Sequence, residues 1–272
     1  MRQFIASLIF LTVLAGSFTL ADGSLWAQQA SAQALERTYT VFLDPGHGSG
    51  DAGAAFRFED GEVLREADVA LSIAHKTAEL LRAKGFQVIL SREKEYRADA
   101  DADANNDGRM NYRDDLQQVV DMANDSRADI FISLHHNGSA NNTASGVEVY
   151  YCADRSFADQ SRMLAELVQA NLMQGLRDIG YEAFDRGVKD DSLLYSRNGR
   201  RWHLFVLGAA RSRGHPRATN MPGILGEALF VSNPAEAKLL ASEEVRWALA
   251  RGYANAVVTY FQMQEAAAFS AQ

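Results

Sequence analysis

The chain has 272 residues, 47% of them aliphatic or aromatic, which is enough to bury a full core and excludes a disordered or fibrous protein. Its 27 Lys+Arg against 35 Asp+Glu leave a net charge of −8, which argues against a nucleic-acid binder presenting a basic face. One cysteine, Cys152, excludes an intramolecular disulfide and a cysteine-based zinc cluster, so a metal must be held by His, Asp and Glu.

Arg2 precedes the apolar run Phe4–Leu20, and a small-residue stretch follows that contains Ala30-Ser31-Ala32 and Ala32-Gln33-Ala34. Residues 1–32 therefore read as a secretory signal peptide, with an uncleaved anchor as the alternative. Ser7, Thr12, Gly16, Ser17 and Thr19 dilute the run and favour cleavage, which places the protein in the periplasm or outside the cell. No later segment can form a transmembrane helix.

The mature chain alternates strands and helices. Thr38–Leu43 is a β-rich run that breaks at Asp44-Pro45-Gly46-His47-Gly48. Val63, Ala67, Leu71, Ala74, Ala78 and Leu81 recur at helical spacing, and Gly85 ends that helix. Phe86–Leu90 is the next strand, Leu116, Val119, Val120 and Ala123 mark a second helix, and Ile130–Leu134 and Val147–Tyr151 are strands. Residues 160–176 form a third helix with Met163, Leu167, Ala170 and Met173 or Gln174 on one stripe. Ile224–Val231 is strand-like and stops at Ser232-Asn233-Pro234, where Asn233 can cap a helix and Pro234 fits its first position. The last helix carries Val245, Leu249, Ala256 and Tyr260. The pattern predicts an α/β fold: a single-domain sandwich over residues 37–265 with a mainly parallel, mixed central sheet flanked by helices on both faces, then a tail over 266–272.

In open α/β sheets ligands gather beyond the carboxyl ends of the strands. Candidate groups stand at such ends: His47 after the first strand, His135 and His136 after Phe131-Ile-Ser-Leu134, and Glu227 within Gly223–Phe230. Glu66 lies in the first turns of the helix after the His47 loop. Two imidazoles and a carboxylate with an open fourth position are what a catalytic zinc site needs, and a second carboxylate can act as general base. Singly, each residue also has an ordinary reading. A histidine at a strand end is commonly just polar, and a glutamate early in a helix favours the macrodipole. A carboxylate in an apolar strand says more, since burial without a partner is costly.

The blocks LDPGHGSGDAGA (Leu43–Ala54), READVAL (Arg65–Leu71), ADIFISLHHN (Ala128–Asn137), GVEVYY (Gly146–Tyr151) and PGILGEALFVSNPAEAKLL (Pro222–Leu240) resemble, in order, those of the zinc-dependent N-acetylmuramoyl-L-alanine amidases. The resemblance spans Val41 to Phe261. It implies His47, Glu66 and His135 as zinc ligands and Glu227 as the catalytic carboxylate. It places His136 at a variable position, passes over Glu62, and leaves His75, His203 and His215 as structural or surface residues. The implied activity is hydrolysis of the amide between the muramoyl lactyl group and L-Ala of peptidoglycan. Within the same metal chemistry a peptidase acting inside the stem peptide competes with this reading. From another class, a wall-binding domain does too, though it would have no use for a complete metal site plus a base.

Two inserts depart from the family pattern. Asp103, Asn105, Asp107 and Gly108 match positions one, three, five and six of a calcium loop, with Arg109 at seven, Asn111 at nine and Asp114 at twelve. A lone loop with Asp at twelve would bind Ca²⁺ weakly, at ~10⁻⁴–10⁻³ M. The alternative is a solvated acidic loop. The second insert, about 190–221, is rich in arginine, and Ser192–Gly226 holds six Arg and no acid. It reads as a lid that an activator protein displaces, as a basic wall for stem-peptide carboxylates, or as a solvated loop. Cys152 reads as a buried small hydrophobe, and the pattern places no base to make it a nucleophile.

Overall fold

The computed structural model describes residues 37–95, 102–194, 199, 201–210 and 214–270. The signal-peptide segment lies outside the described residues, as do Arg197, Arg200, Arg211 and Arg213 of the second insert. In chain order the elements are β1 Thr40–Pro45, β2 Ala55–Arg57, β3 Val63–Arg65, α1 Glu66–Ala83, β4 Gln87–Leu90, α2 Tyr112–Asp125, β5 Ile130–Asn137, β6 Val147–Tyr151, α3 Ala158–Asp178, β7 Asp185–Asp190, β8 Gly223–Phe230, α4 Pro234–Ala241 and α5 Glu243–Ser270.

Six strands form one sheet in the order β4-β1-β5-β8-β6-β7, while β2 and β3 make a separate hairpin. β4, β1, β5 and β8 are parallel neighbours, β6 runs antiparallel to β8, and β7 is parallel to β6. The mixed, mainly parallel sheet is thus as expected. Successive side chains of a strand point to opposite faces, and β1 is apolar on both. Val41 and Leu43 enter the core shared with α1, α3 and α5, whereas Phe42 packs with Phe131 and α2 on the other face.

Several boundaries differ from the sequence reading. Val63 belongs to β3 and is exposed, so α1 starts only at Glu66, where the hairpin ends. β5 runs on to Asn137, which puts both histidines on the strand itself. The buried stripe of α3 is Leu164, Ala165, Val168, Leu172 and Leu176, rotated from the expected one because α5 packs alongside it. α5 continues to Ser270, so the expected tail is helical through that residue. Asn233 caps α4 as expected, accepting from Ala235 N and Glu236 N with Pro234 in the first turn.

The chain leaves β1, passes through α1 to β4 on one side, and returns through α2 to β5 on the other. The carboxyl ends of β1 and β5 therefore flank a topological switch point, where an open parallel sheet forms its crevice.

Candidate metal centre

Asp44 and Pro45 end β1, and the loop beyond them is held tightly. The buried Asp44 carboxylate accepts from Ser91 Oγ (2.6 Å) and Ser133 Oγ (2.8 Å), joining the ends of β4, β1 and β5. Arg92, also buried, donates to the carbonyls of Pro45, Gly46 and Ala67 at 2.8–2.9 Å. This clamp supports an unusual backbone: His47 has φ +61° and Ser49 φ +54°, a region costly for residues with a Cβ. The outcome is an imidazole aimed back at the switch point.

There three expected residues meet. Glu66 is the first residue of α1, and its Oε1 lies 2.9 Å from His47 Nε2 and 2.9 Å from His135 Nδ1. The same oxygen accepts from His136 N, and Oε2 accepts from Ala54 N at 2.8 Å. Asp51 Oδ2 stands 2.8 Å from His47 Nδ1, which directs Nε2 towards Glu66. A carboxylate behind a ligating imidazole is the usual way a metal site fixes its tautomer.

The donor set fits a small divalent cation. One atom from each of His47, Glu66 and His135 lies within 4.8 Å of the others. Tetrahedral bonds of ~2.0–2.1 Å separate donors by about 3.4 Å, so the 2.9 Å pairs need open only slightly. Without a cation the charges balance among themselves. Against the desolvation that would lower it, the Glu66 carboxylate raises the His47 imidazole to about 9, and His135 is raised in the same way. Against the burial that would raise it, both imidazoles hold Glu66 well below the usual carboxylate range.

His136 points elsewhere. It is 2% exposed, its Nδ1 faces Ala228 O, and burial pushes it down to about 4, so it stays neutral. Glu62 is exposed and remote from the cluster of donors.

Glu227 on β8 pairs in register with His135 on β5, which brings the carboxyl beside the three donors. Its buried Oε2 has no hydrogen-bond partner among the described residues. Burial pushes the carboxyl up to about 8; His135 opposes this, and Glu66 and Glu148 add to it. Glu148 stands opposite Glu227 in the β6–β8 pairing. Lys189, Asn137 and Arg186 bond Glu148 and, against its burial, hold it down to about 2. The sequence reading overlooked this cluster and the Arg92 clamp. An acid in the apolar strand β6 is the same signal that singled out Glu227.

A cavity of about 700 Å³ opens beside His47 and His135. One side is His47, Asp44 and His135; the other is the second insert, through Arg201, Trp202, Phe205 and His215. That insert is fastened to α2: Arg217 pairs with Asp121 and donates to Ala104 O, and Asn124 bonds Ala218 O and Asn220 N. Of its six arginines Arg201 and Arg217 are described. His203 and His215 line the cavity, and Cys152, buried as expected, has the imidazole of His203 beside it at 3.4 Å.

In the first insert Asp103 accepts from Asp107 N and Gly108 N, and Gly108 has φ +81°. Asn105 accepts from Asp107 N, Asp114 from Asn105 N and Asn111 N, and Asn111 caps α2. Arg109 is exposed. Among the described residues the carboxylates of Asp103, Asp107 and Asp114 do not gather as tightly as the three donors above.

A family model described as N-acetylmuramoyl-L-alanine amidase matches residues 41–259, which takes in every element from β1 to most of α5. The chain belongs to that family. Among relatives of this amidase, the germination-specific N-acetylmuramoyl-L-alanine amidase of Bacillus subtilis is 28% identical over 81% of this chain and 79% of its own. The crystal structure of an N-acetylmuramoyl-L-alanine amidase from Clostridium difficile 630 superposes with a TM-score of 0.59, 29% identity and coverage of 82% and 96%. The CwlD amidase from Clostridioides difficile, solved in complex with the GerS lipoprotein, gives 0.61, 26%, 83% and 100%. Among the described residues of this amidase, no helix is long and apolar enough to cross a membrane.

Proposed function

We propose that this amidase cleaves the bond between the N-acetylmuramic acid lactyl group and L-Ala of peptidoglycan, with His47, Glu66 and His135 holding Zn²⁺ and Glu227 moving the proton. The observation that carries the reading is the convergence of three donors on one point with an unpartnered carboxyl oxygen beside them. Zinc bound there would polarise the scissile carbonyl and make a water acidic near neutrality.

The chain's own groups do the rest. Asp51 and the Arg92 clamp keep the His47 ring in place, and Glu66 is held by Ala54 N and His136 N. With a cation held by His47, Glu66 and His135, the Glu227 carboxyl would fall from its raised value and would be ionised when a water arrives. Glu227 Oε2 accepts that water's proton and returns it to the leaving nitrogen, releasing a stem peptide with a free L-Ala amino group. The cavity beside His47 and His135 leaves room for a substrate.

Digestion of purified peptidoglycan with and without a chelator, followed by mass spectrometry, tests the reading. Intact stem peptides beginning with L-Ala, lost on chelation and restored by zinc, are the expected result. Cuts within the stem would replace the amidase by the peptidase.

Residues 1–32 fit this reading as an export signal, since the substrate lies outside the cytoplasm. The second insert, forming the far wall of the cavity, is where an activator protein would act. The bonds from Asp107 N and Gly108 N to Asp103, with the left-handed Gly108, favour a weak Ca²⁺ site built by Asp103, Asn105, Asp107, Arg109 O, Asn111 and Asp114. A rise in unfolding temperature with millimolar Ca²⁺, absent in Asp103→Ala, tests it.

A further inference from the structure

A second group of ligand-type atoms stands in the opposite wall of the cavity, apart from the three donors above. Cys152 follows β6, Asp191 begins the short turn Asp191–Leu193 after β7, and His203 lies in the second insert. Cys152 is 2% and Asp191 0% exposed, and the His203 side chain is 5% exposed. His203 Nδ1 lies 3.4 Å from Cys152 Sγ and 2.8 Å from Asp191 Oδ1, and the three donor atoms fall within 4.8 Å of one another. Bonds of ~2.3 Å to sulfur and ~2.05 Å to nitrogen at a tetrahedral angle place S and N about 3.5 Å apart. The S–N separation matches, and the 2.8 Å pair of His203 Nδ1 and Asp191 Oδ1 needs to open slightly, as the 2.9 Å pairs of the first centre do.

The outer contacts are those of a metal site. Asp154 Oδ2 lies 3.3 Å from His203 Nε2, on the far side of the ring from Cys152 and Asp191, and would hold the hydrogen on that nitrogen when Nδ1 binds an ion. Leu204 N donates to Asp191 Oδ2 at 3.0 Å, turning Oδ1 towards the same point.

We propose that Cys152, Asp191 and His203 hold a second zinc ion, with water in the fourth position, that fastens the cavity wall to the sheet; a single cysteine then serves as a ligand beside His and Asp, where the sequence alone allowed only His, Asp and Glu. When the ion binds, the S–H bond of Cys152 breaks, its proton leaves to solvent, and the thiolate becomes a ligand. The ion would join β6, the turn after β7 and the stretch that begins Trp202-His203-Leu204. Arg155 already holds that stretch further on, through the carbonyls of Leu207, Gly208 and Thr219. The inference is independent of the catalytic assignment.

Cys152 is the sole sulfur thiolate source in the chain, so a spectroscopic test reads this site alone. The folded enzyme is exchanged into Co²⁺, its metal content counted, and its near-ultraviolet spectrum recorded for a thiolate-to-cobalt charge-transfer band. Two equivalents and a band are expected in the parent protein. The band and one equivalent should persist in His47→Ala/His135→Ala, and both should be lost from this site in Cys152→Ala. Asp154→Asn, at an exposed residue, should keep the band but weaken cobalt binding here by about 10- to 100-fold. A parent protein that takes up saturating Co²⁺ without any thiolate band overturns the proposal, and needs no variant to do so.

Discussion

Gly53 gives a direct measure of how closely the metal donors are packed. Its φ is +64°, and a Cβ added there would stand 2.5 Å from Glu66 Oε2 and 2.6 Å from His47 Cδ2. Gly61 makes the control, because its φ is +93° but a Cβ would meet nothing within 4 Å. Alanine at either position bears the left-handed backbone penalty of ~1–2 kcal/mol. Only at Gly53 must the donors also move, by roughly an ångström, to restore an ordinary contact. Metal sites tolerate about ±0.2 Å in ligand distance. We therefore expect Gly53→Ala to weaken zinc binding by about 10- to 100-fold, the range typical for loss of outer support, which corresponds to ~1.4–2.8 kcal/mol. Gly61→Ala should lose comparable stability in metal-free urea unfolding and bind zinc as the parent does. Competition with a chromophoric chelator measures both affinities. Equal zinc affinity in the two variants would refute the packing argument.

Glu227→Gln should cut turnover by about 10²- to 10⁴-fold, the usual worth of a general base, with zinc content unchanged; unchanged turnover would remove Glu227 from the mechanism. The metal-free protein should lose stability as pH rises. Glu227 is raised to about 8, so the folded state binds its proton more tightly than the unfolded chain, and that advantage disappears between about 4.5 and 8. His47, raised to about 9, contributes stability present below 6.5 and lost as pH passes 9. Urea midpoints at pH 6, 7.5 and 9 should fall in that order, with a shallower fall in Glu227→Gln and a rise at pH 9 on adding zinc. Arg92→Met should cost ~3 kcal/mol or more in unfolding experiments, because the carbonyls of Pro45, Gly46 and Ala67 lose a buried charged donor at once.

What could be read from the sequence was whatever has a local signature. β1, β5 and β8 are short apolar runs, and parallel strands buried on both faces have no alternation to obscure. His135 faces Glu66 and His136 faces Ala228 O because neighbouring strand residues point opposite ways. β7 escaped notice because Asp185–Asp190 is a polar edge strand, protected by charge and not marked by hydrophobicity. Arg92 escaped because its partners at Pro45, Gly46 and Ala67 come together only through the β4-β1 pairing. Cys152, Asp191 and His203 escaped for the same reason: they meet through the β6–β7 pairing and a stretch with no periodicity.

The four residues of the candidate centre come from the loop after β1, the start of α1, the end of β5 and the middle of β8. No fragment of the chain that stops short of β8 contains them all. An ion bound at His47, Glu66 and His135 would thus reward only a sheet that has already closed around the switch point, and local opening of any one of β1, α1 or β5 would release it. Susceptibility to proteolysis should then rise abruptly on chelation across the whole domain at once, as it would for a keystone and not for a surface rivet.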